Sequence, residues 1–292
     1  MVRYALIPLT ALASVLLVVP LRGDETNRTD VLLMVVMDPL AKPLSCPCVA
    51  GYAQRDYEKL AAVLRDRLHR DIQLVFNESL VAALKNGASL KPELVIGKRS
   101  VVLHDAQKAK LPLKAVASLT SKEGVTTQRG LLVVPSQDPA KTVADLNGYR
   151  IFFGPAECDE KHAAALRLLG DHGISPSAKL ETAIACDEGA INILELAEKG
   201  ERACAVISSY AKPLLEGCGQ VPKGALRIVG ETEEVPFVTA FINESTDRQL
   251  QRAIEAALLD AAARDFALRR ALESKRGFVP VTSEADSVAK KN

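Results

Sequence analysis

Six cysteines stand beside only four histidines in this chain, and there is no tryptophan. Cys46 and Cys48 flank one proline. Cys158 and Cys186 each follow an apolar run, Cys204 opens another, and Cys218 closes a short amphipathic stretch. Thiols at such places can pair as disulfides, hold a soft or borderline cation, or do redox work. Thiolates flanked by Glu157, Asp159 and Asp187 suit such a cation, which makes Cys46, Cys48, Cys158 and Cys186 a candidate metal set. Only a Cys-x-Cys is present, and paired C-x-x-C motifs are missing, so both the metal and the thioredoxin-type signals are weak. Disulfides, a metal site and free redox thiols all stay open.

Other polar residues with chemistry to offer are Lys98, Arg99 and Ser100, and Ser208, Ser209 and Tyr210. Each group follows an apolar run and precedes a helical one. The basic pair can hold an anion or meet carboxylates across a cleft, and solvated surface charge is the plainer reading. The hydroxyls can donate to a ligand or simply cap a helix. Tyr52 follows the Cys-x-Cys loop. His162 lies one helical turn from Cys158, whereas His69, His104 and His172 read as surface residues. A Ser-His-Asp signature, a P-loop and an H-E-x-x-H are all absent, so the expectation is a binding protein and not an enzyme.

The elements that must position these residues follow from pattern. The chain has 292 residues, 48% hydrophobic and 25% charged, which excludes a disordered or fibrous protein and fits one large domain or two lobes. The net charge of +1, from 37 basic and 36 acidic residues, argues against a nucleic-acid partner. Seven Phe and five Tyr leave little with which to stack sugars or cage quaternary amines. Residues 1–23 carry Arg3, an apolar run from Ala5 to Leu21, and Gly23, the pattern of an export signal or, if uncleaved, of an anchor that would be the one membrane contact. The tail 283–292 is polar and reads as flexible.

Between these ends, strands alternate with helices. Strands are expected at 31–37, 72–76, 94–96 and 113–118, with helices at 56–69, 80–85 and 100–108 between them. After residue 130 a second series runs through strands at 130–134, 149–153, 179–184, 203–207 and 226–230, with helices at 160–172, 188–198 and 210–215. A strand at 237–242 and helices over 247–274 close the chain. Two such series mean an α/β fold, and ligands in such folds sit beyond the carboxyl ends of the strands. That places Cys46, Cys48, Cys158 and Cys186 on the cleft side. It places Cys204 and Cys218 at the far end of one βα unit, as a candidate disulfide or as free thiols.

The segments DLNGYRIFFG and LRIVGETEEVPF carry a specific resemblance. The chain from about 31 to 280 resembles the phosphate and phosphonate substrate-binding proteins of ABC transporters, a branch of the type 2 periplasmic-binding fold. The resemblance implies a two-lobed α/β protein with mixed sheets flanked by helices. Lobe 1 would span 31–130 plus 240–280 and lobe 2 would span 135–235, with crossing strands at Leu131–Val134 and Phe237–Ile242. It implies capture of a small molecule or ion by hinge closure, delivery to a permease, an extracytoplasmic location and no cofactor beyond an optional metal ion. Ligand contacts would come from Lys98, Arg99, Ser100, Glu157, Cys158, Asp159, Cys186, Asp187, Ser208, Ser209 and Tyr210. In this family a Ser/Thr-rich turn follows the first strand of lobe 2, where the chain reads GPAECDE, and a histidine often stands where Cys186 does. Gly97 takes the place of a frequent tyrosine. Cys158 and Cys186 form a second candidate disulfide, within lobe 2. The two rival readings are a cysteine-based metal or redox protein on the same scaffold, and a recognition module that takes no small ligand.

Overall fold

The computed structural model of this protein describes residues 31–46, 49–86, 91–177 and 179–281. The signal or anchor segment 1–23, Cys48 and the tail 283–292 lie outside the described residues. The continuous apolar run of β1 (Val31–Met37) is buried from Leu32 onward, as a strand covered on both faces must be. Asp56 then caps α1 (Tyr57–Leu68) by accepting from the Lys59 amide, and Tyr57, Leu60, Ala61 and Leu64 turn inward at helical spacing. There follow β2 (Asp71–Phe76), α2 (Leu80–Asn86), β3 (Leu94–Lys98), α3 (Arg99–Ala109) and β4 (Leu113–Leu119). A short β5 (Thr127–Gln128) leads into β6 (Gly130–Pro135) and β7 (Arg150–Phe153). A 3-10 turn, Asp159–Lys161, precedes α4 (Ala163–Asp171). Then come β8 (Glu181–Thr182), α5 (Glu188–Glu198), β9 (Ala203–Ser208), α6 (Ala211–Gly217), β10 (Leu226–Glu231) and β11 (Val235–Pro236). The chain continues through β12 (Val238–Asn243), α7 (Arg248–Arg264), α8 (Phe266–Ala271) and β13 (Phe278–Pro280).

These elements make two mixed sheets. The larger runs β13-β4-β12-β3-β1-β2, with β1 parallel to β2 and β3 and with β12 antiparallel to β3 and β4. The smaller runs β10-β6-β9-β7-β8, with β7 parallel to β8 and β9 and with β6 antiparallel to β9 and β10. The chain passes between the sheets twice, and the two passages pair with each other as β5 and β11. The crossings are therefore at 127–128 and 235–236, whereas the segments expected to cross, 131–134 and 237–242, lie within the sheets as β6 and β12. The short strands β5, β11 and β13 carry too few residues for an alternating pattern to announce them.

Each sheet is covered on both faces. On the larger sheet, Leu32, Met34 and Val36 pack towards α1, α7 and α8, while Leu33, Val35 and Met37 pack towards α2 and α3. On the smaller sheet, Ala203, Ala205 and Ile207 face α5 and α6, while Cys204 and Val206 face α4. One expected helix is broken: the 160–172 helix is interrupted at His162 (φ −126°, ψ −84°), which frees the 3-10 turn from α4. The segment 247–274 forms two helices, parted at Asp265, whose side chain caps α8. The expected strand 179–184 shortens to the two residues of β8.

Candidate ligand-binding cleft

The carboxyl ends of β3 and β9 meet across the gap between the sheets. Lys98, the last residue of β3, donates from Nζ to Glu160 Oε1 at 2.6 Å, and Ser208, the last residue of β9, donates from Oγ to the same oxygen at 2.6 Å. All three side chains are buried, Glu160 completely so. Burial alone would push the Glu160 carboxyl up, but the Lys98 charge and the hydrogen bonds from Lys98 and Ser208 outweigh it and hold the group below its ordinary value. Burial likewise works against the Lys98 ammonium, and the Glu160 charge overcomes it, so its pKa is raised. The carboxylate and ammonium thus remain a charged pair in the interior.

The backbone explains how Glu160 comes to sit there. The break at His162 lets the 3-10 turn fold inward, and the Gly154 amide donates to the Lys161 carbonyl at 3.1 Å. Gly130, at the start of β6, lies against the Glu160 carbonyl so closely that a Cβ there would stand 2.0 Å from the oxygen. The neighbouring Asp159 amide donates to Ser100 Oγ at 3.4 Å, a second bond between the sheets. Asp159 itself is half-buried, and burial with the neighbouring Glu160 charge raises its pKa.

A second charged cluster lies beside the first, inside the larger sheet's own layer. Asp38 follows β1 and is fully buried, accepting from Arg55 at 2.9 Å and from the Tyr57 hydroxyl at 2.5 Å. The Arg55 guanidinium lies 5.4 Å over the Phe237 ring, and Phe237 stacks on Tyr210 at 4.9 Å. Tyr210 belongs to the smaller sheet's side, so this stack is a third contact across the gap. A fourth is the Tyr52 hydroxyl donating to the Leu214 carbonyl at 3.2 Å.

The expected site residues divide accordingly. Lys98, Ser100, Asp159, Ser208 and Tyr210 converge on the gap. Cys158 is half-buried and close enough for its charge to act on Lys98 and Tyr210. Cys186 is exposed, within electrostatic reach of Tyr210, Lys161 and Cys46. Arg99 turns away, its guanidinium lying over Phe241 at 5.9 Å between α3 and the sheet. Ser209 is engaged with the crossing segment, donating and accepting through its backbone and hydroxyl with Arg129. Glu157 and Asp187 are partly exposed, and Asp187 makes no side-chain cap on α5. Gly97 lies within β3 against Met37, where a Cβ would meet Met37 Cβ at 2.7 Å, so no side chain fits at that position.

The two disulfide expectations need correction. Cys204 and Cys218 are free thiols. Cys204 points to the α4 face of the smaller sheet, whereas α6, ahead of Cys218, packs on the opposite face through Ala211 and Leu215. The sheet itself separates them, a consequence of strand alternation that proximity along a βα unit does not reveal. The Cys158–Cys186 bridge is not formed either, each residue carrying a free thiol ahead of its own helix. Among the described residues no group of three or more His, Cys, Asp or Glu side chains is arranged to hold a metal ion. His162 instead bonds the Gly154 carbonyl at 3.0 Å and meets Phe153 edge-on.

Sequence reading set Glu160 in the acidic GPAECDE turn at the family's anion position without naming it as a contact, and it missed Lys161 and the Asp38–Arg55–Tyr57 cluster. Asp38 had a legible signal, a carboxylate directly after a buried strand. The burial of Glu160 and Lys161 had none, since the helix expected to start at Glu160 would have spread them around its surface. The Lys161 side chain is buried with its stem against Gly154, and its ammonium takes no hydrogen bond or ion pair among the described residues.

The model of a family described as the periplasmic substrate-binding protein of phosphonate ABC transporters matches residues 51–286. No curated protein sequence matches. Among solved structures, PhnD1 from Prochlorococcus marinus in complex with methylphosphonate is similar at a TM-score of 0.65 and 11% identity, covering 90% of this chain and 96% of that one. A binding protein component of an ABC phosphonate transporter from Pseudomonas aeruginosa gives 0.65 at 10% identity, with 89% and 84% covered. The aliphatic sulphonate binding protein SsuA from Escherichia coli gives 0.56 at 14% identity, with 90% and 85% covered. At these identities the structures speak for the two-lobed fold.

Proposed function

Given that the chain belongs to the phosphonate family of periplasmic substrate-binding proteins of ABC transporters, we propose that it captures a small polar solute in the gap between its two sheets and presents it to a membrane permease. It acts by binding and not by catalysis. The reading rests on one observation: at the carboxyl ends of β3 and β9, buried Lys98 bonds Glu160 across the gap, and Ser208 holds the same carboxylate from Glu160's own side. That is the place where open α/β sheets take their ligands. The adjacent β5–β11 crossing provides the pivot about which 31–130 plus 240–280 would move against 135–235. Cys158, Tyr210 and the Lys161 ammonium are the side chains best placed to touch the solute. Location outside the cytoplasm, directed by residues 1–23, completes the reading.

The experiment is a thermal-shift screen with methylphosphonate, inorganic phosphate, an alkanesulfonate and free amino acids, followed by small-angle scattering on any hit. A solute at a hundred times its Kd adds about 2.7 kcal/mol and raises Tm by about 5–10 °C in a protein of this size. The radius of gyration is expected to stay that of the closed arrangement, which Lys98 and Glu160 already join without solute. No shift with any of these solutes overturns the reading.

A further inference from the structure

A solute-binding cleft normally leaves its charged groups for the solute. Here the strongest interlobe donors already have a partner from within the chain. Lys98 Nζ and Ser208 Oγ come from opposite sheets, and both bond one oxygen of Glu160 at 2.6 Å. The other carboxylate oxygen, Oε2, is buried and takes no hydrogen bond among the described residues. Glu160 is also not a side chain free to swing aside. Its turn is seated on Gly130, tied through Gly154 and Lys161, and bonded by the Asp159 amide to Ser100.

We propose that Glu160 is the cleft's built-in anion and its specificity-determining residue. Its carboxylate holds the contacts with Lys98 and Ser208 that an anionic solute would otherwise make. An anion placed on the same two donors would stand against a buried like charge, which disfavours it. A solute therefore enters this part of the cleft by donating a hydrogen bond to Oε2, where a buried acceptor lacks its partner. This deepens the solute-binding reading and rests on it.

The test is calorimetric titration of methylphosphonate and inorganic phosphate into the wild type, Glu160→Gln, Glu160→Ser and the double variant Glu160→Gln/Lys98→Met. The glutamine keeps the side-chain volume and removes the charge, and the serine serves if glutamine disturbs folding. Either single variant is expected to bind methylphosphonate at least about tenfold more tightly than the wild type, a gain of about 1.4 kcal/mol. The double variant is expected to lose that gain, because the freed donor is gone. If the single variants bind neither anion more tightly while the wild type itself binds methylphosphonate, the proposal is overturned and the solute-binding reading stands. If no variant responds to either anion and the wild type responds to no solute of the thermal-shift panel, both are overturned.

Discussion

Two buried ion clusters lie side by side at the carboxyl ends of the larger sheet's strands, and they do different things. Asp38, Arg55 and Tyr57 all belong to the layer around β1 and α1, so their contacts persist whatever the two sheets do. Lys98 bonds Glu160 across the sheets, so that contact exists only while the gap is shut, while Ser208 holds the same carboxylate from Glu160's own side. Desolvating charges costs free energy in both places. In the first cluster that cost is part of folding one body. In the second it is part of closing two, and water reaches the same groups again when the gap opens.

The contrast is sharpest under truncation. Asp38→Ala leaves Arg55 buried beside a lost partner with no motion to relieve it, and is expected to cost about 3–5 kcal/mol of stability in denaturant melts, with scattering unchanged. Lys98→Met strands Glu160 in the same way, but the gap can open and hydrate it. Its expected cost is smaller, about 1–3 kcal/mol, and is accompanied by expansion in scattering. A full cost of Asp38 type with no expansion would erase the distinction between the clusters.

The aromatic seam tests the comparison more gently. Tyr210→Leu removes the stack on Phe237 while keeping apolar bulk, and should cost about 0.5–1.5 kcal/mol, read as a small fall in Tm with slight expansion. A larger loss would mean that the seam, and not the ion pair, holds the sheets together.

How far these features were readable from the residues depends on what fixes them. The two βα series and the covered β1 run follow from local pattern, and they are present as expected. The positions of Lys98 and Ser208 follow from the same pattern, because each ends a strand on the cleft side, and Tyr210 stands two residues past the second. The acidic turn that ends in Glu160 was legible at the anion position, but the burial of Glu160 and its pairing with Lys98 were not. Both depend on one backbone break at His162 inside a segment whose apolar spacing favours a helix. The Cys204–Cys218 expectation failed for a related reason. Helical and strand neighbours can be counted along a chain, but the face of the sheet on which a helix returns is a tertiary choice.

Acid should separate the clusters by the smallest but most specific effect. Glu160 is depressed below its ordinary 4.5 and Lys98 is raised above its ordinary 10.5. The pair's contribution is therefore full between these two values. It is lost on the acid side as pH falls through the depressed carboxyl value and on the alkaline side as pH rises through the raised ammonium value. The stability difference between the wild type and the charge-free double variant, measured from pH 7 downward, should hold steady to about pH 4.5 and then shrink. A difference that is flat to pH 2 would contradict a charged pair.

The central claim is that an internal carboxylate joins the two lobes. Small-angle scattering of the wild type and Glu160→Gln, both without added solute, tests it most directly. The account predicts a compact wild type whose curve matches this closed arrangement, and a variant with a larger radius of gyration. Identical curves for the two proteins would contradict it.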